Sequence, residues 1–198
     1  HVHLTVAGLA GHIGYPADLN NPIHESLPWL TALVNHRWDQ GFPDFEATSL
    51  QCYRLSSESS ACNVTPEDLS LSFNFRFNPA CSQSQLLDEI HKVLAPFHLD
   101  YDIQHEFSGP PYHSKPGPLR GMMDQSIQEV CGFQPDHSTK GATSDGRFFA
   151  DMGIEIVECG LPRSTIHQAN EYTSMKDLQT LEAIYMRMLM SWMSGKVS

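Results

Sequence analysis

No run of about 18 apolar residues occurs in this sequence, so a membrane-spanning helix is not expected. Basic residues are scarce: 12 Lys and Arg stand against 23 Asp and Glu, a formal charge of −11. That deficit argues against nucleic acid and against an anionic membrane surface as partners. A small anionic substrate remains open, because one well-placed Arg outweighs a distant net charge. No CxxC pair occurs, and the five cysteines, Cys52, Cys62, Cys81, Cys131 and Cys159, are odd in number and widely spaced. Neither a disulfide framework nor a thiolate zinc site is expected, which points to a reducing, cytoplasmic setting. Charged residues make up only 18% of the 198, low for a free-standing soluble domain. An initiator Met and a leader are missing as well. The chain opens directly in strand-like HVHLTV, as the interior of a longer protein would.

What is present divides into two unlike parts. Residues 1–109 read as strand, helix, strand, strand, helix, strand. Val2, Leu4 and Val6 alternate, and Leu69, Leu71, Phe73, Phe75 and Phe77 share one face of a strand over 69–78. A further strand is expected over 47–57, and a last one carries Tyr101, Ile103, His105 and Phe107. Asn21 followed by Pro22 predicts an N-cap with proline at the first helical position. Beyond it Ile23, Leu27, Leu30 and Val34 recur at helical spacing, with Pro28 expected to kink or delay the helix. Ser82 and Gln85 form a capping-box signal before Leu86, Ile90, Val93 and Leu94. A βαββαβ order predicts an α+β, ferredoxin-like domain, a mostly antiparallel sheet with both helices on one face.

The turn-rich SGPPYHSKPGP (108–118) marks the boundary to a second part, 110–198. It holds a helix with Leu119, Met123, Ile127 and Val130, a short apolar strand IEIV, and a long closing helix capped by Thr173 or Ser174. The stripe Leu178, Leu181, Tyr185, Met188 and Trp192 on that last helix is expected to pack as core. One strand cannot make a sheet, so this part wants partners that the chain does not supply.

Four segments carry chemical interest. His167 sits in the loop STIHQANE, where a strand-end imidazole suits zinc; a surface histidine is the plainer reading. In TSDGRF, Thr143, Ser144 and local amides at a helix start suit a carboxylate, although an ordinary cap fits equally. Arg76 on the polar face of a strand suits a carboxylate or an exposed ion pair. His12, between glycines in GLAGHIGYP, suits a residue that swings toward a ligand, or any turn.

Taken together, GHIGYP…NP, NVTPEDLSLSFNFRF, TSDGRFFADMG and STIHQANE resemble, in order, the dizinc amidohydrolases of the aminoacylase and carboxypeptidase kind, and among them the enzymes that remove a succinyl group from a diamino acid. The resemblance runs from residue 1 to about 193. It implies a lid and dimerisation domain at 1–109 and the C-terminal portion of an α/β zinc-hydrolase catalytic domain at 110–198. The N-terminal catalytic portion, with the remaining metal ligands and the Glu general base, is absent.

By the same resemblance, the intact enzyme hydrolyses N-succinyl-L,L-diaminopimelate to succinate and L,L-diaminopimelate with two Zn2+ per active site, Co2+ being a possible substitute. His167 is implied as a zinc ligand. His12 is implied as a lid donor that reaches the partner subunit's active site and polarises the acyl oxygen. Tyr15 and Asn63 are implied in trans as well, Arg76 on a substrate carboxylate, and Thr143 and Arg163 near the succinyl group. Three positions depart from the family pattern: Cys62 for Asn, Ala142 for Gly, and Arg163 for Asn. An Arg at 163 still pairs with an anionic acyl group. The expected partners are a small N-acyl diamino acid and a second copy of the chain. A related dizinc deacylase of acetylornithine type is the enzymatic alternative. The other is a dimerisation and binding module without catalysis, which fits the 198 residues taken alone.

Overall fold

Strand β1 (Val2–Ala7) alternates as its sequence dictates, burying Val2, Leu4 and Val6 while its odd positions face away. In the computed structural model, which describes residues 1–141 and 144–195, the chain divides into two units, His1–Pro111 and Tyr112–Ser198. The first contains β1, helix α1 (Pro22–Asn35), β2 (Ser49–Ser56), β3 (Asp68–Arg76), α2 (Gln83–Leu94) and β4 (Tyr101–His105). The four strands form one antiparallel sheet in the order β2-β3-β1-β4. Its register pairs Leu4 with both Leu71 and Ile103, so the apolar residues of three strands fall on one face. Trp29, Leu33, Ile90 and Leu94 from the two helices close over Leu4, Leu69, Leu71 and Phe73, all within 1% of full burial.

Both helix starts follow their local chemistry. The Asn21 side chain accepts from Ile23 N–H, with Pro22 just inside the helix. Ser82 and Gln85 form the reciprocal capping box. Each cap is worth about 1 kcal/mol. Pro28 does not break α1, which runs through it. The buried face of α1 differs from expectation. Pro22, Ser26, Trp29 and Leu33 face the core, whereas Ile23, Leu27 and Val34 are 44%, 63% and 53% exposed. Burying the indole of Trp29 outweighs burying an aliphatic stripe rotated by one residue. Strand β3 also ends at Arg76, and Phe77 packs instead against Phe107, their ring centroids 6.2 Å apart.

The second unit is helical among its described residues: α3 (Pro118–Cys131), the short α4 (Arg147–Ala150) and α5 (Met175–Met193). Met123 and Ile127 of α3 pack on Ile184 of α5, with Val157, Cys159 and Met188 around them. The expected strand IEIV does not form. Without a second strand, Ile156 N–H is satisfied by Ser114 Oγ at 2.9 Å. The start of α3 is capped from afar. The Glu155 carboxylate accepts from Leu119 N–H and Arg120 N–H, both at 2.9 Å, where the helix dipole favours an anion. Gly117 permits this, since a Cβ there would lie 2.6 Å from Glu155 Oε2. On α5, the expected stripe is replaced by a narrower one around Ile184, Leu181 and Met188. Leu178, Tyr185 and Trp192 stay exposed, as do Met186, Leu189 and Met190. No described helix is long and apolar enough to cross a membrane.

Candidate functional site

After β1 the chain enters the segment 8–20, which closes on itself. Leu9 N–H donates to Asn20 O at 2.8 Å and Asn20 N–H to Leu9 O at 3.1 Å. Gly8 is the residue that allows the closure, because a Cβ there would sit 2.5 Å from Pro22 Cδ. The loop is then laced to the segment that leads into β3. Gly11 N–H donates to Thr65 Oγ1, and Thr65 N–H to Gly11 O, each at 2.9 Å and across 54 positions of sequence. Ile13 N–H donates to Asn63 O at 3.0 Å, and His12 bridges Val64. His12, Tyr15 and Asn63 are thereby brought to one rim of the sheet, all three exposed.

Within that rim the His12 imidazole is held on two sides. Gly14 N–H donates to Nδ1 at 3.0 Å. The Tyr15 ring lies tilted against it, centroids 5.7 Å apart, while Tyr15 N–H donates to His12 O at 2.9 Å. Arg76 lies elsewhere. It ends β3 opposite Ser49, whereas Asp68, at the other end of that strand, is paired with Ala7 beside the His12 loop. Eight residues of strand separate the two ends by about 26 Å.

In the second unit, Arg163 and His167 belong to one tight turn. Ile166 N–H donates to Arg163 O at 3.2 Å, and Thr165 Oγ1 donates to Tyr172 O at 2.8 Å. His167 is exposed and takes a φ of 59°, while its N–H is held by Glu171 Oε2 at 3.1 Å. Left-handed backbone at a non-glycine residue costs about 1 kcal/mol, and Asp44, His98 and Asn170 adopt it as well. Thr143 and Ala142 lie outside the described residues. No group of three or more His, Cys, Asp or Glu side chains converges to hold a metal among the described residues.

Two residues outside the TSDGR segment, Tyr112 and Glu158, meet it without any local sequence signal. Tyr112 Oη donates to Glu158 Oε1 at 2.5 Å across 46 positions, and Ser144 Oγ donates to the same oxygen. Burial pushes the Tyr112 phenol up from its usual range, the Glu158 carboxylate pushes it further, and the Ser144 contact opposes. Gly146 makes room for the cluster: a Cβ there would meet Tyr112 Oη at 2.6 Å. Arg147 lies over the Phe148 ring at 4.6 Å, its buried Nε without a hydrogen-bond partner among the described residues. Only proximity in space joins Tyr112 and Glu158 to the segment, because they lie 32 and 14 positions from Ser144.

Residues 1–102 match the peptidase dimerisation domain, M20_dimer. A Buchnera aphidicola protein named succinyl-diaminopimelate desuccinylase is 40% identical over 183 residues, covering 92% of this chain and 48% of that protein. A Coxiella burnetii protein of the same name is 41% identical over 189 residues, covering 96% and 50%. The chain thus spans about half the length of the curated relatives it matches. Among solved structures, a tripeptidase from Staphylococcus aureus aligns with a TM-score of 0.72 at 18% identity, covering 94% of this chain and 49% of that one. An M20 family metallo-carboxypeptidase from Sulfolobus solfataricus aligns at 0.69 and 16% identity, covering 95% and 56%. At those identities the likeness is one of fold.

Proposed function

The chain belongs to the M20 peptidase dimerisation-domain family, and on that premise we propose that it is the lid and catalytic tail of a metal-dependent amidohydrolase that converts N-succinyl-L,L-diaminopimelate to succinate and L,L-diaminopimelate. The first unit is the ferredoxin-like lid, and the second is the C-terminal portion of the catalytic domain. The name shared by relatives at 40% and 41% identity supports the substrate. The observation that carries the reading is the built presentation of His12, with its loop laced to the Asn63–Thr65 segment and its ring buttressed by Tyr15.

His12 acts by donating a hydrogen bond to the acyl oxygen as negative charge develops there. Such a donor lowers a barrier by about 3 kcal/mol in comparable sites. Arg76 holds a substrate carboxylate by its guanidinium fork. A small substrate cannot span the two ends of β3, so His12 and Arg76 meet one ligand only when they come from different copies of the chain. This makes the enzyme a homodimer whose active sites are shared. Two features support the pairing surface. The edge of β2 is open, and α1, which packs over β3 beside it, exposes Ile23, Leu27 and Val34.

Zinc is the expected metal, and His167 is the donor that this chain offers to it. The described residues do not by themselves complete a site, so the other ligands come from the catalytic portion that lies outside this chain. Arg163 pairs with the succinyl carboxylate, compensating for the Asn of the family pattern, and the resemblance assigns Thr143 to the same group.

The reading is tested with the full-length protein on a panel of N-acyl substrates. Release of succinate from N-succinyl-L,L-diaminopimelate in clear preference to deacylation of N-acetylornithine is the expected result. Preference for the acetyl substrate overturns the substrate assignment, and activity on neither overturns the enzyme.

A further inference from the structure

We propose that the Gly14 amide sets the tautomer of His12, so that the ring presents Nε2–H outward and serves as a hydrogen-bond donor, excluding a role as base or metal ligand through that nitrogen. The proposal rests on the reading of His12 as a donor to the partner's substrate and specifies the chemistry behind it. A backbone N–H can only donate, and Gly14 N–H is directed at His12 Nδ1 at 3.0 Å. Nδ1 accepts that bond only while it carries a lone pair. The neutral ring has a single N–H, which therefore resides on Nε2. A general base or metal ligand acting through Nε2 needs a lone pair at that position, which the neutral ring does not have while the Gly14 bond is made.

The absence of a side chain at 14 is part of the device. A Cβ there would stand 3.0 Å from Nδ1 and 3.2 Å from Cε1, tighter than ordinary contact, so the ring would have to shift away from its present seat over the amide. The Tyr15 ring flanks the imidazole, and the His12–Val64 bridge fixes the backbone from which it projects. Both ring position and proton position are thus set by the 12–15 turn itself. Gly14 is a positioning residue for the reaction, acting through His12.

The test has two arms. In the 198-residue chain labelled with 15N, the expected signature is a scalar coupling across the hydrogen bond from the Gly14 amide nitrogen to His12 Nδ1, with Nε2 carrying the proton in the neutral ring. A proton on Nδ1, or no coupling while Nε2 is protonated, overturns the proposal. Gly14→Ala should weaken the coupling with the thermal midpoint of unfolding little changed, and an undiminished coupling in that variant removes the role given to the missing side chain.

In the full-length enzyme, His12→Gln places an amide N–H near the Nε2 position and His12→Asn does not. The Gln variant should retain at least about tenfold more kcat than the Asn variant, with similar KM. If the coupling is observed and Gln does no better than Asn, the donor role in catalysis fails while the tautomer assignment stands.

Discussion

The Asp39 carboxylate and the Asn78 side-chain amide meet at 3.0 Å, joining residues 39 positions apart on either side of the β2–β3 hairpin. Asn78 is 1% exposed, and its amide also donates to Glu46 O at 3.0 Å. Gly41 N–H at 2.7 Å, Thr48 N–H at 3.1 Å and Cys81 Sγ at 3.5 Å also donate to Asp39. Burial alone would raise the carboxyl, but the hydrogen bonds from Thr48, Gly41 and Asn78 prevail and hold it at about 2. This network anchors the long connection from α1 to β2.

Its contribution to stability depends on pH with a definite sign. The folded carboxyl titrates at about 2 and the unfolded one near 3.8, so on acidification the unfolded chain takes up the proton first. The stabilisation is complete above 3.8, and it is lost as pH falls through 2. After allowance for solvent screening it amounts to about 1–2 kcal/mol. Asp39→Asn should lower the urea midpoint at pH 7 and flatten its dependence on pH below 4. An unchanged acid profile in the variant assigns the pH dependence elsewhere.

On the proposed pairing, the exposed stripe on α1 predicts where a dimer would be broken. Leu27→Glu puts a charge at the centre of a surface formed with Ile23 and Val34, and leaves the core residues Trp29 and Leu33 in place. Light scattering on the chain should show a monomer where the parent is dimeric, with the circular dichroism spectrum intact. A variant that remains dimeric moves the interface away from α1.

The proposed sharing of active sites predicts complementation. In the full-length enzyme, His12→Ala should lower kcat by about 100-fold or more with little change in KM, because the bond forms at the transition state. His167→Ala should lose metal, measured by elemental analysis. Each variant alone should retain about a hundredth of wild-type activity or less. After equal mixing and exchange, half of the dimers pair one of each and hold one complete site out of two, so about a quarter of wild-type activity should return. No recovery would place His12 in its own subunit's site.

The Tyr112–Glu158–Ser144 cluster predicts a local response. Glu158→Gln removes the charge that both hydroxyls face, at a cost of about 1–2 kcal/mol. Ultraviolet titration should show the Tyr112 phenol ionising closer to its usual value in this variant, since burial remains and the carboxylate does not. The Tyr112→Phe variant identifies which transition belongs to it.

Much of this architecture is legible in the sequence where the determinants are local. Asn21, Ser82 and Ser174 each cap the helix that follows, through bonds spanning two or three residues. The strand pattern of β1 and β3 emerges from alternation alone. The buried face of α1 was not legible, because two apolar stripes one residue apart compete and only the sheet beneath decides between them. IEIV has the composition of a strand, but its pairing partner is not among the described residues. In the site, the resemblance points to His12, Tyr15 and Asn63 in separate motifs, and the bond from Ile13 N–H to Asn63 O shows how the fold brings them to one rim. Tyr112 and Glu158 carry no signal in the sequence because their significance is a distance in space across 46 positions, whereas Gly14 lies two residues from His12 and only the direction of its amide needed the structure.

The dependence of α3 on Glu155 bears on how the chain is made. A helix whose opening turn is completed by a carboxylate 35 and 36 positions downstream cannot be finished when its own last residue leaves the ribosome. Until Glu155 has emerged, its first amides face water and its N-terminal end frays. Synthesis order thus delays the consolidation of α3 until the stretch bearing Glu155, and just beyond it the turn with Arg163 and His167, is being translated.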